Sequence, residues 1–405
     1  MTDGATRFLP YAQHTLEEDD IQAVVRVLES STLTTGPAVR ALENRFAETT
    51  GAGYAVSCSS GTAALHLASL ALGLGPGKKV IVPAITFLAT ANAVRFTGAD
   101  VVFADVDPAT GLMGEFHLLE ALERAGPKAA AIYPVHLNGQ CAPMPAISRI
   151  AADNGLAVVE DACHVLGGQA RTLSGDWAPV GSCAMSDMTI FSLHPAKIIA
   201  MGEGGMVTTQ DREVYTKLSR LRNHGMVRDA DSFAHADEAF DTTGNANPWY
   251  YEMPEIGYNY RASDINCALG LSQLEKLERF RKARLALADD YDRLLAPLAP
   301  RILPLPRVEG CRPAWHIYVV HIDFAAAGIS RAALMNRLHD AGIGSQVLYL
   351  PVNRQPYYKS LYGDTRLPGA DTYYESTLAL PFSVAMSRSD VERVVETLDS
   401  ILKES

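Results

Sequence analysis

Seven short, mostly apolar runs constrain the fold of this chain more than any other feature. They span residues 54–58, 80–82, 101–104, 130–135, 157–160, 188–191 and 206–209. A strand with one wet face alternates apolar and polar residues. Most of these runs are continuous instead, the pattern of a mainly parallel sheet buried on both faces. Stretches with helical periodicity lie between several of them, for example 63–72, 116–125 and 146–154. The first two-thirds of the chain therefore reads as an α/β layered domain.

At 405 residues the chain is long enough for a second unit. Residues 229–249 lose periodicity and read as a surface loop. A long helix is expected from near Asp264, with Leu274, Leu277, Phe280, Leu287, Tyr291, Leu294 and Leu295 as its buried stripe. A strand at 316–322, a helix at 331–341, a strand at 346–350 and a helix at 389–402 complete a smaller α+β unit. The expected division is a large domain over 1–255, N-terminal segment included, and a small C-terminal domain over 256–405. Ahead of the sheet, Thr15 and Glu18 have the spacing of a capping box.

The net charge of −11 argues against generic binding to nucleic acid or to an anionic membrane, so an anionic substrate needs a local positive site. No uninterrupted apolar run is long enough to span a bilayer. The start of the chain, Met1 to Arg7, has no apolar stretch and carries Asp3, so no signal peptide is expected. The six cysteines are scattered, form no CxxC pair and have no zinc-like spacing with histidine. Reduced thiols in a cytoplasmic protein, and no metal site, are the expectation.

The chemistry is expected around Lys197. It follows the strand run 188–191 and precedes Gly202, Gly204 and Gly205, a turn whose backbone must approach something closely or take positive φ. With Ile198 and Ile199 beside it, the lysine is poised to lose water, and a desolvated lysine becomes a usable amine nucleophile or proton shuttle. Earlier, Ser59-Ser60-Gly61-Thr62 opens a helix, and free N–H groups with hydroxyls at a helix N-terminus suit a phosphate. Asp161 ends the 157–160 run, where ligands of open α/β sheets sit, and can pair with a protonated ring nitrogen. His164 is placed to hold the Asp161 carboxylate. A phosphate anchor, a pyridinium partner and an imine-forming lysine together lead to the expectation that Lys197 carries pyridoxal 5′-phosphate as a Schiff base.

The chain resembles the DegT/DnrJ-type sugar aminotransferases, which have the fold-type I aspartate aminotransferase architecture. The resemblance is carried by residues 60–65 (SGTAAL), 83–87 (PAITF), 160–164 (EDACH), 192–197 (SLHPAK), 202–205 (GEGG) and 257–261 (GYNYR), in family order over nearly the whole chain. It implies that Lys197 is the catalytic residue, holding the cofactor and moving the proton. It also implies that Asp161 pairs with the ring nitrogen, that Phe87 stacks on the ring, that His164 belongs to the cofactor site, and that Gly61, Thr62 and Ser192 hold the phosphate. Asn259 would reach the cofactor phosphate of a neighbouring subunit, which implies a homodimer with shared active sites.

Within that family the chain is similar to the branch making UDP-4-amino-4,6-dideoxy-N-acetyl-L-altrosamine, on the route to pseudaminic acid for flagellin or another surface glycan. Residues 9–11 (LPY), 33–36 (LTTG), 134–140 (PVHLNGQ), 247–253 (NPWYYEM), 314–316 (AWH) and 349–352 (YLPV) carry the likeness. It implies that Tyr11, Leu33, Thr34, Thr35, Gly36, Ser60, Tyr349, Leu350, Pro351 and Val352 line the nucleotide-sugar site. The reaction implied moves an amino group from glutamate to C4 of a UDP-linked 4-keto-6-deoxy-N-acetyl hexose. Leu193, where the branch has an aromatic residue, and the long loop before Pro248 are expected to alter the substrate pocket. Alternatives are a nucleotide-sugar aminotransferase of the perosamine or 4-amino-arabinose type, a sugar dehydratase, against which Lys197 weighs, and a non-catalytic regulator.

Overall fold

The structure is a computed structural model and describes residues 7–404. Met1–Thr6, on which most of the expectation about a signal peptide rests, lie outside the described residues. Seven strands form the central sheet: β1 (Tyr54–Cys58), β2 (Lys79–Pro83), β3 (Asp100–Ala104), β4 (Ala129–Ile132), β5 (Ala157–Asp161), β6 (Met188–Ser192) and β7 (Gly205–Thr209). Their order across the sheet is β1-β7-β6-β5-β4-β2-β3. Neighbours from β3 through β6 are parallel, and β7 alone runs antiparallel to both β6 and β1. The continuous apolar runs are the reason: Val80, Ile81 and Val82, for example, are each fully buried, with helices covering both faces.

A second, three-stranded antiparallel sheet (Ile302–Pro304, Tyr318–Ile322, Thr377–Leu380) packs with the helices Leu277–Leu295, Arg331–Asp340 and Arg388–Lys403 around its own apolar core. Leu9 inserts into that core, and its N–H and carbonyl bond Gly342 and Gly344. The chain's start is thereby pinned to the C-terminal unit, and Tyr11 is carried towards the main sheet.

Four local expectations are corrected. The first helix starts at Glu18 with Glu17 as its cap and Asp20 closing the box, because Asp20 is recruited into a buried network with Lys276; the Thr15 hydroxyl is left without a partner. The long helix after Asp264 is two helices, Asp264–Leu274 and Leu277–Leu295, with Lys276 at the break bonded to Asp19 and Asp20. The run 346–350 forms no strand, since only Gln346 pairs, with Ala379, before the chain turns Tyr349 into a cavity. Leu193 is fully buried in the core and lines no part of that cavity, so its size cannot shape the pocket directly. Residues 229–249 are an exposed loop with internal order, gathered by Glu252, whose carboxylate accepts from the N–H groups of Ala234 and His235.

Candidate active site

A cavity of about 420 Å³ opens at the carboxyl edge of the parallel strands. Three strand ends converge there. Strand β1 hands over to the helix Gly61–Ala71, β5 ends on Asp161, and β6 ends on Ser192 and leads to Lys197. Tyr11, Ser60, Gly61, Thr62, Phe87, Asp161, His164, Ser192, Lys197 and Tyr349 all line this one cavity.

The helix at Gly61 is capped by Ser60, whose hydroxyl accepts from the Ala63 N–H. Helix geometry leaves the N–H groups of Gly61 and Thr62 without an acceptor in the helix, pointing towards the cavity end of the dipole. A Cβ on Gly61 would come within 2.9 Å of the Ser192 Cβ, so only glycine lets the two phosphate-type donors sit so close. The glycine turn behind Lys197 meets the expectation for it: Gly202 has φ +79, and Gly205 packs directly on the Ser60 carbonyl.

The Asp161 carboxylate is held from two sides. The Thr90 hydroxyl donates to Oδ2 at 2.7 Å, and the Cys163 N–H donates to Oδ1 at 3.2 Å. Thr90 has a single proton to give, so the Thr86 hydroxyl, 2.7 Å away, donates in turn to Thr90. His164 does not hold Asp161. Its Nδ1 accepts from the Asn138 N–H at 3.4 Å and its Nε2 meets the Tyr349 hydroxyl at 3.1 Å. Burial, and then the nearby Lys197, push the pKa of this imidazole well below the usual histidine value, so it is neutral. His316 packs against it at a tilt, 4.5 Å between ring centroids, and is pushed down by the same causes; its Nδ1 has no partner.

Loss of water lowers the Lys197 pKa, and Cys163 and Asp161 only partly restore it. The amine is thus neutral at lower pH than an ordinary lysine, which is what a nucleophile and proton carrier requires. Phe87 is 55% exposed at the cavity mouth, with its ring 5.8 Å from that of Tyr349.

Other expected residues lie elsewhere within one protomer. Thr35 and Gly36 line a second cavity with Arg40, Glu43, Arg222 and Arg261. Leu33 and Thr34 are exposed, and this loop is stitched to residues 263–264: Thr34 bridges Ser263, the Asp264 N–H donates to the Leu33 carbonyl, and Asp264 accepts from Gly36 and Ala38. Asn259 is exposed beside Asn223. Leu350 is exposed, whereas Pro351 and Val352 are buried, and the Val352 N–H is bonded to the Ala84 carbonyl. Sequence reasoning gave no role to Thr90, Cys163, His194, Glu203 or His316, which line or support the cavity. Nothing in the sequence marked Thr90: it lies in the first turn of the helix Leu88–Phe96, and Thr86 precedes that helix.

The residue set fits pyridoxal phosphate: free N–H groups at a helix start, a doubly held carboxylate and a desolvated lysine face one space of suitable size. Among the described residues no group of His, Cys, Asp and Glu could hold a metal ion, and no helix is long and apolar enough to cross a membrane.

Comparison with known proteins agrees with this chemistry. The pattern of the DegT/DnrJ/EryC1/StrS aminotransferase family matches residues 14–399. The chain is 37% identical to the spore coat polysaccharide biosynthesis protein SpsC of Bacillus subtilis, over all of this chain and 99% of that one. Among solved structures it is similar to PseC of Helicobacter pylori, an aminotransferase involved in the biosynthesis of pseudoaminic acid, with TM-score 0.88 and 26% identity over 98% and 100% of the two chains. It is also similar to the sugar aminotransferase Spr1654 of Streptococcus pneumoniae in its PLP form, with TM-score 0.86 and 28% identity over 98% and 99%.

Proposed function

The chain belongs to the DegT/DnrJ/EryC1/StrS aminotransferase family and is a pyridoxal-phosphate-dependent sugar aminotransferase; we propose that it moves an amino group from glutamate to C4 of a UDP-linked 4-keto-6-deoxy-N-acetyl hexose. The observation that carries the site reading is the convergence of the Gly61 helix start, Asp161 and Lys197 on one cavity. Pyridoxal phosphate, when bound there, supplies the electron sink for the carbanion next to the transferred nitrogen. The protein's part is positioning and proton movement. Gly61, Thr62 and Ser192 hold the phosphate, and Asp161, fixed by Thr90 and the Cys163 N–H, keeps the ring nitrogen protonated. Phe87 covers the ring at the mouth, and His164 lines the cofactor site as a neutral imidazole anchored by Tyr349. Lys197 is the amine that would hold the cofactor covalently, and it would carry the proton between the donor or sugar carbon and the cofactor.

On this reading the product feeds pseudaminic acid and a surface glycan, and Tyr11, Ser60 and Tyr349 meet the sugar. Similarity to PseC supports that sugar. Similarity to SpsC favours a second reading, another nucleotide-linked 4-keto sugar of a surface polysaccharide. The active unit we propose is a homodimer. Asn259 is exposed and lies four residues before Ser263, which bridges Thr34, so a second copy presenting one presents both to the neighbouring cavity. The remaining parts of the nucleotide site, Leu350 to Val352, follow Tyr349 directly. We read residues 1–255 as the cofactor domain and 256–405 as the small domain, and the protein as cytoplasmic, which its unpaired cysteines support.

The test is a panel of nucleotide 4-keto sugars with glutamate as donor and product identification by NMR. Turnover of the UDP-linked 4-keto-6-deoxy-N-acetyl hexose to a C4 amine supports the proposal. Selective turnover of a different 4-keto sugar replaces it with the second reading.

A further inference from the structure

Two cysteines that lie 170 residues apart in sequence meet on the wall behind the active site. Cys141 ends the tight turn after Asn138-Gly139-Gln140, and Cys311 opens a two-residue strand against Gln169 and Ala170. The Cys141 N–H donates to the Cys311 Sγ at 3.1 Å. Bonds that involve neither thiol fix both backbones. The Gln140 side chain spans to the Pro306 carbonyl at 3.0 Å and the Val308 N–H at 2.8 Å, and the Gly139 carbonyl accepts from Ala314 at 3.0 Å. Cys141 is buried and Cys311 is half-buried, so a small reagent reaches Cys311 first.

We propose that Cys141 and Cys311 form a peroxide-responsive dithiol, with Cys311 as the attacking sulfur and Cys141 as the resolving one. The Cys311 thiolate attacks a peroxide oxygen, the O–O bond breaks, and Cys311 becomes a sulfenic acid as hydroxide leaves. The Cys141 sulfur then attacks the Cys311 sulfur, the S–O bond breaks, and water leaves with the Cys141 proton. In balance, two thiols lose two protons and two electrons, and one hydrogen peroxide becomes two waters.

The electrostatics fit this order. The Cys141 side chain and N–H both favour the Cys311 thiolate and hold it below the ordinary thiol range against the effect of burial. Cys141 itself is pushed well up by its neighbour and by burial. Desolvation likewise raises Cys58, Cys163, Cys183 and Cys267, so those thiols stay protonated and slow. The bond would lock the turn carrying Asn138, which holds His164, to the segment leading through Ala314 to His316. The inference does not depend on which sugar is the substrate.

The experiment treats the whole native protein with a small molar excess of hydrogen peroxide, quenches with a thiol alkylator, and maps the peptides by mass spectrometry. The expected result is a linked pair of peptides carrying Cys141 and Cys311, free thiols falling from six to four, and full reversal by dithiothreitol. In Cys141→Ser the link is lost and Cys311 is trapped by dimedone as the sulfenic acid, while urea unfolding reports that the variant is folded. Cys311 left unmodified in the wild type, or oxidised without linkage to Cys141, overturns the proposal. So does preferential oxidation of Cys163 in the active-site cavity.

Discussion

Replacing Thr90 by valine keeps the shape of the side chain and removes the hydroxyl that donates to Asp161. The bond is buried, 2.7 Å long and made to a carboxylate. Hydrogen bonds of this charge-assisted kind are worth about 1.5–3 kcal/mol. If the whole loss is felt in the proton-transfer transition state, where the proposed role of Asp161 is to hold the ring nitrogen protonated, the rate falls about 10- to 150-fold. The assay is a single-turnover half-reaction with the amino donor, followed by the change in cofactor absorbance, with the urea midpoint of the cofactor-free protein as a control for folding. Thr90→Ser, which restores the hydroxyl, should recover most of the rate. A Thr90→Val enzyme that is folded, saturated with cofactor and within about twofold of wild type in that half-reaction would refute the positioning role.

Other outcomes follow from the same geometry. Lys197→Ala should abolish multiple turnover and the absorbance of the lysine-linked cofactor while the protein stays folded; full turnover would overturn the assignment. Asp20 is fully buried against Lys276. Burial raises its carboxyl, but hydrogen bonds from Lys276, Ser272, the Glu17 N–H and Gln273 more than offset this and hold it below the usual 3.8. Its contribution is therefore complete above the unfolded value and is lost as pH falls through the lower folded one. Asp20→Ala should cost about 3–5 kcal/mol at neutral pH and flatten the acid limb of a urea-midpoint profile. Leu193→Phe should destabilise the protein by about 1–3 kcal/mol through overpacking, read as a lower urea midpoint, and leave the sugar preference in the substrate panel unchanged, since Leu193 lines none of the cavity.

The sheet was legible in the sequence because burial on both faces writes itself as unbroken apolar runs, and the residues that end those runs, Asp161 and Ser192, fall at the site by geometry alone. What stayed hidden depends on contacts between distant segments. Thr90 acquires its role only when the helix Leu88–Phe96 is laid beside β5, and the Cys141–Cys311 pair exists only once 138–142 is stitched to 306–317. His164 sits close enough in sequence to suggest a bond to Asp161, but the competing N–H of Asn138 and hydroxyl of Tyr349 take both nitrogens. Leu193 follows a residue that lines the cavity, and the chain turns its side chain into the core instead. The run 346–350 has strand-like residues, yet only Gln346 finds a partner edge.

The stitching of the loop 33–36 to residues 263–264 bears on how such enzymes diversify. Asp264 accepts from both Gly36 and Ala38, so it shapes the loop and starts the helix Pro37–Thr50 at once. The two stretches are more than two hundred residues apart in sequence but form one hydrogen-bonded unit in the fold. Drift or transplantation of the loop alone would strand the Asp264 carboxylate and loosen the neighbourhood of Asn259. A donor loop from a relative with a different sugar should be transferable only together with its own counterpart of 259–264, and the pair should co-vary across relatives even though neither touches Lys197.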